Sequence, residues 1–284
     1  MTLRLWDAEF PLIRLEGGGA TQFLHGQTSA DVCGAKLDVL VDACLLTTTG
    51  KVRALLEIRA GSHGVDALVL AGDAKVIHAG FDAVIFPADN VRLLPLDSCR
   101  RIQRLTPIDT RHLERYWLAE DDGLPLEWSN LPIASQREVE HWRIQRNLPL
   151  GPEEVSGNFN PLELGLEAWV SLSKGCYLGQ EMVAKLTRTS RVRRRLCSWQ
   201  AAKSIVIGTR LNCSKETIPG RYAGVVTSSM SVEGNGIGLA MIHHQALNAT
   251  SLIAAETNLM VELKTQSIYP RTASATRETK HLPV

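Results

Sequence analysis

The sequence predicts an α+β body followed by a small antiparallel β-barrel or sandwich, and three observations lead there. Up to about residue 190, short apolar strand-like runs interleave with stretches of helical spacing. Beyond Arg195 the texture changes to short β-rich runs punctuated by Gly220, Gly224, Gly234, Gly236 and Gly238, as in small antiparallel barrels. The chain has 284 residues, 44% hydrophobic and 21% charged, enough for a substantial core and for about two domains. The division expected is 1–190 for the body, with room for two subdomains, 191–270 for the barrel, and a disordered polar tail over 271–284.

Each element has a local reason. Residues 10–15 read as a strand, and 20–27 as a short helix with Phe23 and Leu24 facing inward. Residues 39–46 and 52–58 pair around the turn Thr47-Thr48-Thr49-Gly50, and 67–70 is a further buried strand. Over 73–86, Val76, Ile77, Phe81, Val84 and Ile85 follow helical spacing behind Asp73 as a cap, and Pro87 closes the helix. Residues 101–105 and 116–119 are strand-like. Ser135, with Glu138 three residues on, is a capping box opening a helix over 135–147. Pro149, Gly151 and Pro152 terminate it. The expected strands of the last third are 196–200, 222–228, 237–242, 252–255 and 259–263.

Composition narrows the function classes. A formal charge of +1 gives no global pull toward nucleic acid or membrane, so any basic site is local. Asp7 interrupts the N-terminus before a leader-like apolar run forms, and no apolar stretch approaches the ~20 residues of a membrane span. Cys33, Cys44, Cys99, Cys176, Cys197 and Cys213 contain no CxxC pair. That scatter suits neither zinc nor a disulfide scaffold and suggests reduced thiols in cytoplasm. The histidines form no HExxH or HxH pattern, so no metal is expected. Gly234-Asn235-Gly236-Ile237-Gly238 precedes strands and is read as a β-turn rather than a dinucleotide fingerprint.

Chemistry concentrates in Lys174-Gly175-Cys176-Tyr177-Leu178-Gly179-Gln180-Glu181. This is a glycine-bracketed loop with a thiol between a cation and an anion. Lys174 and Arg188 can lower the pKa of the thiol and enrich its thiolate. The plainer alternative is a tight turn around an inert cysteine.

The run resembles the signature K-G-C-[FY]-x-G-Q-E of YgfZ-like proteins, a branch of the glycine-cleavage T-protein superfamily, at every fixed position. Further segments are similar in the same order. Phe23-Leu24-His25-Gly26-Gln27-Thr28-Ser29-Ala30-Asp31-Val32 and Thr49-Gly50-Lys51-Val52 come first, then Trp142-Arg143-Ile144 and Asn160-Pro161-Leu162-Glu163. Gly224-Val225-Val226-Thr227-Ser228 and Ile237-Gly238-Leu239-Ala240 complete the series. The resemblance implies a multi-lobed cloverleaf, its C-terminal antiparallel β-barrel packed around a central channel that holds tetrahydrofolate or a derivative. It implies Cys176 as the catalytic residue. Lys174, Gly175, Tyr177, Gly179, Gln180, Glu181, Trp142, Arg143, Gln145 and Arg188 are the implied folate-binding residues, and the three segments around Phe23, Trp142 and Lys174 are expected to converge on the channel. The implied role is support of iron–sulfur cluster assembly or repair in client enzymes and, through them, tRNA modification. Folate and iron–sulfur client or assembly proteins are the partners expected of a cytoplasmic monomer.

Two departures bear on activity. The T-protein's catalytic aspartate lies in a G-G-x-x-D-D-L segment, and here Ala54 and Leu55 occupy the acidic positions. Glu57 lies further along the strand and is an imperfect substitute. Aminomethyl transfer to folate is therefore the second reading, not the first. The T-protein's R-[LI]-E segment is Arg143-Ile144-Gln145 here, so a neutral amide replaces the carboxylate expected on the pterin edge, with Glu181 as an alternative. The cluster Arg188, Arg191, Arg193, Arg194 and Arg195 is a solvated connector, a cradle for folate's glutamate tail, or an RNA contact. Without interleaved aromatics RNA ranks below folate. Trp142 and Trp169 are core residues or pterin-stacking platforms.

Overall fold

The computed structural model describes residues 3–107, 113–119, 122–189, 192–213, 222–249 and 251–264. The expected tail over 271–284 and Arg191 lie outside these residues. In chain order the body contains β1 (Arg4–Glu16), α1 (Ala20–Gln27), β2 (Leu40–Leu46), β3 (Val52–Ala60), β4 (Gly64–Ala71), α2 (Ala74–Asp82), β5 (Arg92–Leu93), β6 (Asp97–Leu105), β7 (Arg115–Leu118), α3 (Gln136–Gln145) and α4 (Gln180–Thr189). The barrel contains β8 (Arg194–Ala201), β9 (Arg210–Cys213), β10 (Gly224–Val232), β11 (Asn235–His243), β12 (Leu252–Ala254) and β13 (Met260–Leu263).

The body strands form one antiparallel sheet in the order β2-β3-β4-β1-β6-β7, with β5 also paired to β1. One face carries α1 and α2: Leu24, Ile77 and Phe81 pack on Ile13, Leu15, Ile58 and Val69. The sheet curls until its two ends face each other, since Arg115 on β7 reaches Asp42 on β2 at 2.7 Å and Arg101 on β6 reaches Glu57 on β3 at 2.7 Å. The capping signals act as read. Asp73 accepts from the amides of Lys75 and Val76 at 3.0 and 3.1 Å. The Glu138 carboxylate accepts from the Ser135 amide at 2.9 Å, and Ser135 Oγ from the Glu138 amide at 3.3 Å.

The C-terminal strands close into a six-stranded antiparallel barrel, β10-β11-β8-β13-β12-β9. Its longest hairpin turns through Glu233 and Gly234, both at positive φ (50° and 85°), as a two-residue turn matching the strand twist requires. Two elements depart from the sequence reading. Helix α2 stops at Asp82, and a single 3-10 turn at Pro87–Asp89 follows. The last two residues of the octapeptide open helix α4 rather than remaining in a loop. An apolar cluster joins body to barrel: Leu55, Trp142, Trp169, Tyr177 and Val183 pack with Leu196, Leu239 and Met241. No helix among the described residues is long and apolar enough to cross a membrane.

Candidate functional site

The octapeptide is held at both ends. Lys174 is buried, and its ammonium donates to the carbonyls of Thr28 and Ala30 at 2.6 and 2.7 Å and to that of His25. These carbonyls lie at and just beyond the C-terminus of α1, where the helix dipole favours a cation. Burial pushes Lys174 down to about 8, so at neutral pH it still carries the three protons that three acceptors use. Its ammonium also sits 4.8 Å from the centre of the Tyr177 ring. The Leu178 amide donates to Gly26 O at 3.1 Å. Further on, Gly179 at φ 80° presses against the β2–β3 turn: a side chain there would lie 2.5 Å from Thr47 O and 3.0 Å from Gly50 Cα. Gly50, at φ 72°, faces Met182 as closely. Only glycine satisfies both the left-handed backbone and this approach.

Between these anchors, Gly175 and Cys176 are exposed. Glu181 and Arg188 are exposed on α4, and Gln180 folds back with Nε2 3.5 Å from Lys174 O. Tyr177 is buried, and burial pushes its hydroxyl up to about 12. The remaining thiols differ in setting. Cys44 is fully buried and pushed up to about 12 by that burial. Cys33 is exposed, but its thiol donates to Gln22 Oε1 at 3.2 Å and is raised by partial burial and by Asp31. Nearby, His25 Nδ1 accepts the Cys33 amide at 3.2 Å. Burial, followed by Lys174, lowers the His25 pKa, so its 3.4 Å approach to Asp31 is that of a neutral ring.

The second segment meets the third through the apolar cluster of Trp142, Ile144 and Tyr177, whereas Leu24, Ala30 and Val32 of the first belong to the separate cluster beneath α1 and α2. Trp142 is buried, donates to Thr106 O at 3.0 Å and packs with Trp169 and Tyr177. Arg143 turns to the barrel. It pairs with Glu140 at 2.6 Å and donates to Ser228 Oγ at 2.7 Å, and that hydroxyl donates to Glu154 at 2.6 Å. Asn160 and Glu163 cap one another reciprocally at 2.9 and 3.1 Å, and Glu163 also meets Lys51 at 3.6 Å and Arg194 at 3.3 Å. These motif residues therefore bind lobe to lobe.

Gln145 is exposed and lines a recess of about 820 Å³ between α3 and strands β8, β11 and β13. Ser198, Gln200, Asn235 and Lys264 face the same space. Burial, then Lys264 and Arg137, lowers the pKa of His141 at its edge. At the centre of the body, by contrast, Trp142 and Trp169 wall a cavity of only about 20 Å³.

Sequence reasoning passed over what surrounds that small cavity. Glu57 is fully buried. Arg101 grips it with Nε and Nη2 at 2.9 and 2.7 Å, Arg115 Nε approaches at 3.1 Å, and Trp117 donates at 3.0 Å. Burial raises a carboxyl, but the two guanidiniums outweigh it and hold Glu57 at about 2. The available signal was a lone acid within each of two apolar strands, at Asp42 and Glu57.

No protein-family model matches the chain. It is 36% identical over 109 residues to a putative chloroplastic transferase of Arabidopsis thaliana; the match takes in 38% of this chain and 24%, about a quarter, of that protein's length. It is 24% identical over 243 residues to an uncharacterized protein of Haemophilus influenzae, covering 80% of this chain and 84% of the other. Among solved structures, the glycine cleavage system aminomethyltransferase T from Bartonella henselae matches with a TM-score of 0.69 at 12% identity, over 98% of this chain and 88% of that one. The chain has the T-protein fold. Within that T-protein frame Ala54 and Leu55 are fully buried and apolar, and Glu57 is locked among cations. None of the three is placed to exchange a proton with a ligand.

Proposed function

We propose that this protein is a YgfZ-like, tetrahydrofolate-binding accessory protein that supports iron–sulfur cluster assembly or repair in client enzymes, acting as a cytoplasmic monomer. The observation that carries the reading is an exposed Cys176 thiol on a loop anchored at Lys174, Leu178 and Gly179. Such a thiol stands ready for a partner's cluster or ligand, whereas Cys44 is shut away. The fold likeness supports a folate-type ligand, and the recess beside Gln145 is of a size that suits one. Gln145, Ser198, Gln200 and Asn235 would hold the hydrogen-bonding edges of a pterin there, and Lys264 a glutamate carboxylate. When bound, the folate would supply a carrier for a one-carbon unit. The central cavity, with room for about one water, does not fit a pterin. Aminomethyl transfer is disfavoured because Ala54 and Leu55 can neither take nor hold a proton; purified protein should form no methylene-tetrahydrofolate with the usual glycine-cleavage partners.

The test is Cys176→Ser in a deletion strain, with tetrahydrofolate titrated against tryptophan fluorescence in parallel. The variant should fold and bind tetrahydrofolate like the unaltered protein, yet fail to restore iron–sulfur enzyme activity. Full complementation would return Cys176 to a packing role. Absence of saturable tetrahydrofolate binding by the unaltered protein would overturn the folate half.

A further inference from the structure

The small central cavity holds two donors to which the described residues offer no partner. Arg101 Nη1 and Gln103 Nε2 are buried and make no hydrogen bond among the described residues, and both residues line the cavity. Each is 2% exposed, so neither reaches bulk solvent. The Gln103 amide cannot be turned round to remove the problem. Its Oε1 accepts from Arg101 Nη2 at 2.6 Å, and reversing the group would set donor against donor. Arg101 is equally fixed, since Nε and Nη2 are committed to Glu57. Two immobile donors thus share one space of about 20 Å³, enough for one water-sized molecule and little more.

We infer that this cavity is a binding site for a single neutral oxygen acceptor, one internal water molecule bridging Arg101 Nη1 and Gln103 Nε2. A buried donor is rarely left unmatched in a folded protein, and a water's two lone pairs match two donors. Asp42 and Glu57, which line the same cavity, can accept its hydrogen bonds. Charge decides against a halide. The cations Arg101 and Arg115 are already balanced by the anions Asp42 and Glu57, so an added anion would leave a net negative charge in a site shielded from water. Size decides against any larger ligand. The water ties β6 to the cluster where the two ends of the curled sheet meet.

A crystal structure at atomic resolution should show one oxygen-sized peak within hydrogen-bond reach of both nitrogens, about 2.7–3.2 Å. A bromide-soaked crystal should show no anomalous peak there. In solution, magnetic relaxation dispersion of water oxygen should count one fewer long-lived internal water in Gln103→Met than in the unaltered protein. A bromide peak would make this an anion site and overturn the inference. So would no density between the two donors, or an unchanged water count in the variant. Should Gln103→Met fail to fold, the two crystals of the unaltered protein decide the matter.

Discussion

Replacing Lys174 with methionine isolates what the buried ammonium does. The aliphatic stem is largely kept, and three charge-assisted bonds to His25, Thr28 and Ala30 are lost. Bonds to a charged group contribute roughly 1.5–3 kcal/mol each. The lower figure is the apt one here, because the desolvation that lowers Lys174 to about 8 already offsets part of the gain. Three bonds at that level give about 4.5 kcal/mol, within the range for removing one partner of a buried charged arrangement. For a chain of this size that is a fall in Tm on the order of 10 °C. Urea unfolding followed by tryptophan fluorescence suits the measurement, since Trp169 O accepts from Ser29 Oγ in the same segment at 2.6 Å. Lys185→Met, on the exposed face of α4, is the control and should stay within about 0.5 kcal/mol. A loss below about 1 kcal/mol at position 174 would mean the carbonyls find other partners, and the anchoring argument would be wrong.

Two further substitutions probe the neighbouring joints. Glu57 is held at about 2 against an ordinary 4.5, so its stabilisation is present above pH 4.5 and is lost as pH falls through about 2; the shift corresponds to about 3 kcal/mol. Glu57→Gln should therefore be less stable at pH 7, by about 3–5 kcal/mol through its uncompensated guanidiniums, and should show a shallower acid limb in pH-dependent unfolding. Equal acid sensitivity in both proteins would remove Glu57 from the account. Gly179→Ala should cost about 2 kcal/mol or more, from its left-handed backbone and its 2.5 Å approach to Thr47 O. It should also speed hydrogen exchange in both the octapeptide and the 47–50 turn. Faster exchange confined to the octapeptide would show that the two do not move as a unit.

What was legible in the sequence was local. Ser135 with Glu138, and Asp73 ahead of an apolar periodicity, announced helix starts because a cap is a contact between near neighbours. The hairpin around Gly50 and the barrel texture were legible for the same reason. Strand β1 begins before residues 10–15 because residues 4–9 are drawn into the sheet by pairing with β6, far along the chain, a contact that no local pattern announces. Helix α4 went unread because its ten residues carry one short apolar stripe, Met182, Val183 and Leu186, set among polar residues, with only Val183 fully buried. The ion cluster was the least legible. Asp42 and Glu57 are directly opposed across β2 and β3, a repulsive pair on local grounds. What rescues them arrives from β6 and β7, some 45 to 70 residues away, through a curl of the sheet that no window of sequence contains. In the octapeptide, residue types identified a concentration of chemistry but could not separate anchors from presented groups. Lys174 and Cys176 look equally reactive in one dimension, and burial distinguishes them.

The anchored loop also bears on how an encounter at Cys176 would proceed. A flexible loop that orders on contact gives up conformational entropy at that moment, roughly 1–2 kcal/mol for each backbone residue fixed. Here the residues on both sides of the thiol are already fixed in the free protein, so that cost belongs to folding rather than to association. Complex formation should then be governed by diffusion and by any adjustment in the other molecule, with little rearrangement on this side. Whatever molecule meets Cys176 would be the one that bends.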